Sequence, residues 1–555
     1  MTTSEARPVD PGRVESPADE GVFLRQSTGL VRLMGTRQTV IYNTMITTIV
    51  LGAALTFLLT PYAFPKANMW LGVVITGVVG AAMMAAYAML SSSMPRSGGD
   101  YVFQSRLLNS GVGFVLVAVG FVVFLAFWLC LGGWMLAVLA LSPFATTLGI
   151  ETGATWLVDF GTWATTPWGI TVISLAGLAA AMLVLVRGIR VYLRVQAFLW
   201  VLLLITFATV WILLLTHPHG DFVAAFNGYI THNGGDAGAY QRIIDTARAE
   251  GFTGGTGYSF GDTIGVAPVV WTAMAWCMWS VITAGEFKGA RQLRNQAIGM
   301  IGALAIVTIT IALTAILLVN SAGNTFLGSL GYLYYTGSDG LNELPTSPFF
   351  GVLAAMLTSS PIVILLLAAG FIATSFQILI GMAWGASRIV MAMSFDRMLP
   401  ERLGDVSERT RTPVRALILM MAMSVVFVFL YNHTDVAKYT LAVTLTAVLT
   451  YMGSMVAAIV FPYRAPDMFR TSPAARYRLF GVPAIVVLGV IGLAFNALLV
   501  VFYLTKDELG VNDTGSLVMI GGIYVCAIAF YFLRRAWLRR NDYDPDIAFS
   551  RIPPE

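Results

Sequence analysis

Charged side chains are scarce in this chain. Asp, Glu, Lys and Arg make up 11% of its 555 residues, where a soluble domain carries about 25%. Cysteine and histidine are scarcer, with three and four residues. No CxxC or CxxH spacing exists, which argues against a disulfide framework and a structural zinc site. Cys130, Cys277 and Cys526 lie inside apolar runs and are expected to be buried free thiols. His217, His219, His232 and His433 fall in loops and read as solvated. No basic stripe with interleaved aromatics occurs, so the net charge of +4 does not point to nucleic acid. No cleavable signal peptide is expected either. The first apolar run, from near Thr39, follows a polar segment carrying Arg7, Arg13, Arg25, Arg32 and Arg37, and it is too long for an h-region.

What the chain has instead is apolar length: 57% of its residues are hydrophobic. Behind a polar N-terminal tail containing Pro8, Pro11 and Pro17, expected to be mostly disordered, twelve apolar segments follow. They fall at about 39–62, 70–93, 111–143, 167–187, 191–216, 268–286, 297–320, 354–393, 413–431, 437–461, 482–504 and 515–534. At 1.5 Å per residue each is long enough for a hydrocarbon core of about 30 Å. Charge placement tests this count. With the N-terminus inside and the sides alternating, all of the 33 Lys and Arg except Lys66, Arg242, Arg248, Lys438 and Lys506 fall in cytoplasmic segments. A miscounted helix would invert every later loop, so the asymmetry supports both count and orientation. The long outer loop 217–267 contains AYQRIIDTARAEGF, which places Ile243, Ile244 and Ala247 near one face of a short helix, a lid or a spacer. The outer loop 321–350 carries Tyr332, Tyr334 and Tyr335, expected in the interfacial belt.

The membrane segments lack ionisable groups at depth. Glu286, Arg388 and Arg187 sit at helix ends, where they are expected to reach water. No Asp, Glu, Lys or His lies at a midplane, which argues against a carboxylate-driven proton pump and a channel lined by charged rings. With no HExxH, no paired carboxylate at depth and no Ser/His dyad, no catalytic or metal-ligating residue is assigned, and the chain is not expected to be an enzyme. Discontinuous helices can still bind polar solutes through free backbone groups.

The string MPRSGGDYVFQSR, Met94 to Arg106, interrupts two apolar runs. Pro95, Gly98 and Gly99 turn the chain, and Arg96, Asp100 and Arg106 are expected to hold the turn in water. This string resembles the loop between helices 2 and 3 of the amino acid–polyamine–organocation (APC) permeases. GEFKGARQLRNQAI, Gly285 to Ile298, is similar to that superfamily's stretch after helix 6. GASRIVMAMSFDRMLPERL with Thr412-Pro413-Val414 is similar to its run after helix 8. The three stand in the right order at expected cytoplasmic helix ends.

The resemblance implies an all-α polytopic membrane protein of 12 transmembrane helices, a five-plus-five inverted repeat with two additional C-terminal helices. The divisions would be a tail over 1–38, a first repeat over 39–216, the outer loop 217–267, a second repeat over 268–461, helices 11–12 over 462–534 and a tail over 535–555. Helices 1 and 6 would be broken at mid-membrane. The break in helix 1 falls near Ile46, Thr47 and Thr48, where the expected glycines are missing. Helix 1 is then either broken less sharply or compensated by threonine hydroxyls. In helix 6 the matching stretch is Ala275 to Ser280, where Trp276 and Trp279 share a face. Substrate would meet Ile46, Thr47, Thr48, Trp276, Trp279 and Ser280. Thr374 and Ser375 on helix 8 are candidate sodium ligands, and helix 5 lacks the lysine that replaces sodium in some relatives. Arg96, Gly98, Gly99, Asp100, Glu286, Lys288, Arg388 and Asp396 would brace a cytoplasmic gate.

The function so implied is secondary active transport of an amino acid or related small amine across the plasma membrane by alternating access. Both termini would be cytoplasmic. Sodium or a proton would be the coupling ion, with no other cofactor. The partners are the substrate and the lipid bilayer, with no nucleic acid. The absence of a buried carboxylate disfavours cationic amino acids. The alternatives are a solute-binding receptor or sensor, and a channel.

Overall fold

The structure, a computed structural model, describes residues 30, 32–254, 257–342, 344–544, 547 and 549. Most of the expected N-terminal tail and the end of the C-terminal tail lie outside the described residues. Among the described residues, twelve helices are long and apolar enough to cross a membrane: α1 (Thr36–Ala63), α2 (Met69–Ser93), α3 (Ser110–Thr152), α4 (Pro167–Leu185), α5 (Ile189–Thr216), α6 (Phe260–Val281), α7 (Leu293–Ala322), α8 (Pro361–Phe395), α9 (Val414–His433), α10 (Asp435–Arg464), α11 (Ala484–Thr505) and α12 (Thr514–Arg540). Each expected segment becomes one of them. α6 starts earlier than 268 because Ser259 accepts from the Asp262 amide at 3.1 Å and caps a polar first turn. α8 starts later than 354. Residues Phe350–Ala355 form a separate short helix, and Pro361 forces Ser360 into an extended conformation. A small antiparallel hairpin, β1 (Arg478–Leu479) and β2 (Val482–Pro483), precedes α11.

At the arginine-rich end the links fold back onto the bundle. The Leu33 and Met34 amides donate to the Glu286 carbonyl at 3.0 and 3.1 Å, and the Lys288 amide donates to the Met34 carbonyl at 2.8 Å. The Gly98 amide donates to the Ile282 carbonyl at 2.9 Å. Gly98 and Gly99 take φ of 102° and 46°. A Cβ on Gly98 would stand 2.5 Å from Ala392 Cβ, and one on Gly99 would stand 2.9 Å from Val281 Cγ2. The turn needs glycine for its dihedrals and because it is wedged between α6 and α8.

This folding back corrects the expectation that charges at this end reach water. Asp100, Glu286, Arg388 and Asp396 are buried, and the Arg106 side chain nearly so. Arg187 and Lys288 are exposed and Arg96 is half-buried. Helix ends that a linear reading leaves at the surface here lie under a layer of backbone. One thiol also departs from expectation: Cys526 is exposed on the outside of the bundle, while Cys130 and Cys277 are buried.

At the opposite end the stretch 217–267 holds two short helices, His219–His232 and Ala239–Ala249. Ile243, Ile244 and Ala247 are buried on the face their spacing predicts. The pair packs on a further helix, Asn324–Thr336, where Tyr240 stacks on Phe326 with centroids 4.2 Å apart. That helix lies so close to the outer half of α1 that a Cβ on Gly331 would collide with the Leu58 carbonyl. The three tyrosines are partly exposed and also pack inward. Tyr62 of α1 meets Tyr332 edge-on at 5.7 Å and stacks on Tyr335 at 6.1 Å, and Tyr334 meets Phe349 at 5.4 Å.

Candidate functional site

The helical ladder of α1 is interrupted where the sequence places the break. One helix ends at Ile46 and the next begins at Ile49. Thr48 between them has φ 52° and ψ 42°, the left-handed region, a costly conformation for a β-branched residue. Thr47 offsets part of the loss, its hydroxyl donating to the Thr44 carbonyl at 2.6 Å. The Thr48 hydroxyl makes no capping bond. The Gly52 amide is the first of the outer half to bond back, to the Thr48 carbonyl at 2.9 Å. The amides from Ile49 to Leu51 therefore have no partner within the helix.

The break is buried and faces α6. Below it, Asn43 accepts from the Ser280 amide at 2.8 Å and donates to the Ser280 hydroxyl at 3.0 Å and the Gly299 carbonyl of α7 at 2.9 Å. Above it, Gly52 lies against Ala273, closer than a Cβ would permit. Ile46 reaches Gly381 of α8. α6 is not unwound here. It tightens into a 3₁₀ segment, Ala275–Val281. Three residues per turn brings side chains three apart into register, so Trp276 and Trp279 meet edge to face at 5.3 Å.

α3 presents aromatics to that face. It contains two π-helical segments, Ala118–Val123 and Met135–Leu141, a feature frequent at functional sites. Phe121 meets Trp279 at 5.9 Å and Phe124 stacks on Trp276 at 5.3 Å. Tyr451 of α10 closes the cluster, 6.0 Å from Trp276 and 5.8 Å from Phe121. The Trp276 indole donates to the Thr272 carbonyl at 2.8 Å. The Trp279 and Trp128 indole N–H groups and the Tyr451 hydroxyl are buried without partners. A cavity of about 10 Å³ adjoins Trp276 and Tyr451, room for about one water molecule.

A family model described as Amino acid permease matches residues 38–529, a stretch that holds all of these residues. The chain belongs to that family. A search of curated proteins returns no match. As a permease it is a transporter, set in the membrane by its twelve spans.

The permease's remaining sequence-expected residues fall in two places. Thr374 and Ser375 are buried on α8. The Thr374 hydroxyl donates to the Gly370 carbonyl at 2.8 Å, and the Ser375 hydroxyl donates to the Phe371 carbonyl at 2.8 Å. The residues expected to brace a gate gather at the arginine-rich end. Arg388 donates to Glu286 at 2.5 Å, and Trp384 Nε1 donates to the other Glu286 oxygen at 2.9 Å. Arg106 grips both Asp396 oxygens at 2.6 and 2.7 Å, and the Tyr101 hydroxyl joins at 2.7 Å. Asp100 accepts from Tyr87 and Ser454. Lys288 takes part through its backbone.

Sequence reasoning missed Asn43, Tyr451 and Trp384. Asn43 had a signal, a lone amide one turn before the break in an apolar run. Tyr451 and Trp384 had none, because their roles depend on partners far away in the chain.

Proposed function

We propose that this permease is a secondary active transporter. It would carry an amino acid or related small amine across the plasma membrane by alternating access, with both termini in the cytoplasm. The observation that carries the reading is the buried Thr47–Thr48 break, packed against the same α6 segment that carries Trp276 and Trp279. The unbonded amides after Thr48 form the positive end of a half-helix, suited to a carboxylate. The indole faces suit an ammonium or an apolar side chain. Ile46 forms a wall toward α8. Ser280, whose amide and hydroxyl are both held by Asn43, positions the site. The unpartnered N–H of Trp279 and hydroxyl of Tyr451 are further contacts a polar solute can satisfy. Irregular backbone falls in the first helix, which is broken, and in the sixth, which is tightened but continuous.

The cavity beside Trp276 and Tyr451 has room for about one water, and Thr47, Thr48, Trp276 and Trp279 are all buried, so loading requires this packed core to open. Both ends of the bundle are covered, and transport would alternate the opening of the arginine-rich latch with that of the tyrosine-lined cover. The coupling ion is a proton or sodium. The sodium reading rests on the Thr374 and Ser375 oxygens, which keep lone pairs while their protons bond back along α8.

Purified protein in liposomes, tested against labelled amino acids with and without ion gradients, is expected to show saturable uptake, lost in Trp276→Ala. Unsaturable flux would indicate a channel, and binding without uptake a receptor. Unchanged sodium dependence in Thr374→Ala and Ser375→Ala would remove the sodium site.

A further inference from the structure

Among the described residues three carboxylates are buried: Asp100, Glu286 and Asp396. Glu286 is paired with Arg388, and Asp396 with Arg106. Asp100 has no cationic partner. It opens the linking helix Asp100–Leu107 between α2 and α3. Its Oδ1 accepts from the Tyr87 hydroxyl of α2 at 2.6 Å and from the Ser454 hydroxyl of α10 at 2.5 Å. Its Oδ2 is buried with no partner. One turn along, Gln104 donates to the Thr450 carbonyl at 2.8 Å and to Ser454 Oγ at 3.0 Å, and its own Oε1 is also buried without a partner.

The cluster thus holds two buried acceptors that lack a donor, and a buried polar atom left unpaired costs about 1–3 kcal/mol. An ionised carboxylate without a counter-charge in such a place is costlier still. Burial pushes the Asp100 carboxyl up to about 6, against the pull of the Ser454 and Tyr87 hydroxyls and a backbone amide. Tyr87, Tyr451 and Ser454 face it from α2 and α10. The charges on the other elements around it, Arg106, Asp396, Glu286 and Arg388, are paired with one another.

We propose that Asp100 is a proton-binding site built into the arginine-rich gate. The carboxylate takes one proton from a hydronium ion onto Oδ2, releasing water and leaving a neutral acid. The Tyr87 and Ser454 bonds tie α2, the linking helix and α10 together around this carboxyl. The packed cluster binds the proton more tightly than a solvated carboxyl would, so proton uptake at Asp100 holds the gate closed and proton loss favours its opening. The coupling role rests on the transporter reading, while the proton site itself does not.

The test is infrared difference spectroscopy of the full chain in lipid, titrated from about pH 5 to about pH 7.5 across the expected carboxyl midpoint. A protonated-carboxyl stretch should appear as pH falls through about 6 and be absent from Asp100→Asn. Ser454→Ala and Tyr87→Phe each remove a bond that favours the charged form, so each should move the midpoint to higher pH. No such band in the wild type, or a band that survives in Asp100→Asn, overturns the site. So do unmoved midpoints in Ser454→Ala and Tyr87→Phe, which keep the test open should Asp100→Asn fail to fold. Uptake under an imposed pH gradient separates the two readings. A titrating band with no uptake of any amino acid sinks the transporter reading and leaves the site. Uptake whose pH profile does not shift in Ser454→Ala sinks the coupling role.

Discussion

The Arg388 guanidinium lies 3.6 Å from the centre of the Trp384 ring, one turn earlier on the same helix. Tyr192 of α5 stacks on that ring as well, nearly parallel at 5.3 Å. Trp384 and Arg388 together hold both Glu286 oxygens. Three elements, α5, α8 and the link after α6, thus meet at one buried ion pair. Glu286→Gln leaves a buried guanidinium without its counter-charge, and it should cost about 3–5 kcal/mol. The check is the thermal midpoint of the detergent-solubilised protein. Arg388→Lys should fall nearly as far, because an ammonium cannot both stack on indole and direct two N–H groups at Oε1. The double variant Glu286→Gln, Arg388→Met should recover part of the loss, because it removes the stranded charge.

The left-handed Thr48 makes a prediction of opposite sign. A β-branched residue there costs about 1–2 kcal/mol that glycine avoids, so Thr48→Gly should raise the thermal midpoint, less the flexibility glycine adds to the unfolded chain. Thr47→Val should lower the midpoint, through a stability loss of about 1 kcal/mol, because it removes the hydroxyl bond to the Thr44 carbonyl. If Thr48→Gly stabilises and yet weakens substrate binding, the strain positions the amides that follow it.

These contrasts show how much of the site was legible in the sequence. The break at Thr47–Thr48 was placed correctly because the family's break can be aligned onto this chain even without its glycines. Its form was not legible, since nothing local says that Thr47 bonds back while Thr48 turns left-handed. Helix count was legible because it is summed over many residues. The burial of Asp100, Glu286 and Arg388 was not. A charge at a helix end reads as solvated until the links are seen folding back, and Glu286 meets Arg388 across 102 residues. The tightening of α6 was missed for a similar reason, because its 3₁₀ turn is held by packing against Phe121, Phe124 and Tyr451 from α3 and α10.

Asn43 joins α1, α6 and α7 through one amide group. Asn43→Ala removes the bonds to the Ser280 amide and hydroxyl and to the Gly299 carbonyl, at about 0.5–1.5 kcal/mol for each hydrogen bond lost. Asn43→Asp should be no rescue, because a carboxylate can accept from Ser280 but cannot donate to Gly299. Both should lower the thermal midpoint, and substrate titration of whatever folds should show weakened binding through misplacement of Ser280. Binding at wild-type strength in Asn43→Ala would show that the amide only braces the fold.

Asp100 makes stability depend on pH in a direction unusual for a carboxylate. Burial raises its folded-state value to about 6, above the ordinary range near 4 that it has when unfolded. Between those two values the folded chain binds more protons than the unfolded chain, so stability falls as pH rises through the window. Below the window the contribution is fully present, and above about 6 it is lost. Other titrating groups are common to the wild type and Asp100→Asn, so the difference between their thermal midpoints isolates this one carboxyl. That difference should grow in favour of Asp100→Asn as pH rises from about 4 to about 6 and stay level above it. A difference that is flat across the window would mean that Asp100 keeps an ordinary carboxylate value despite its burial.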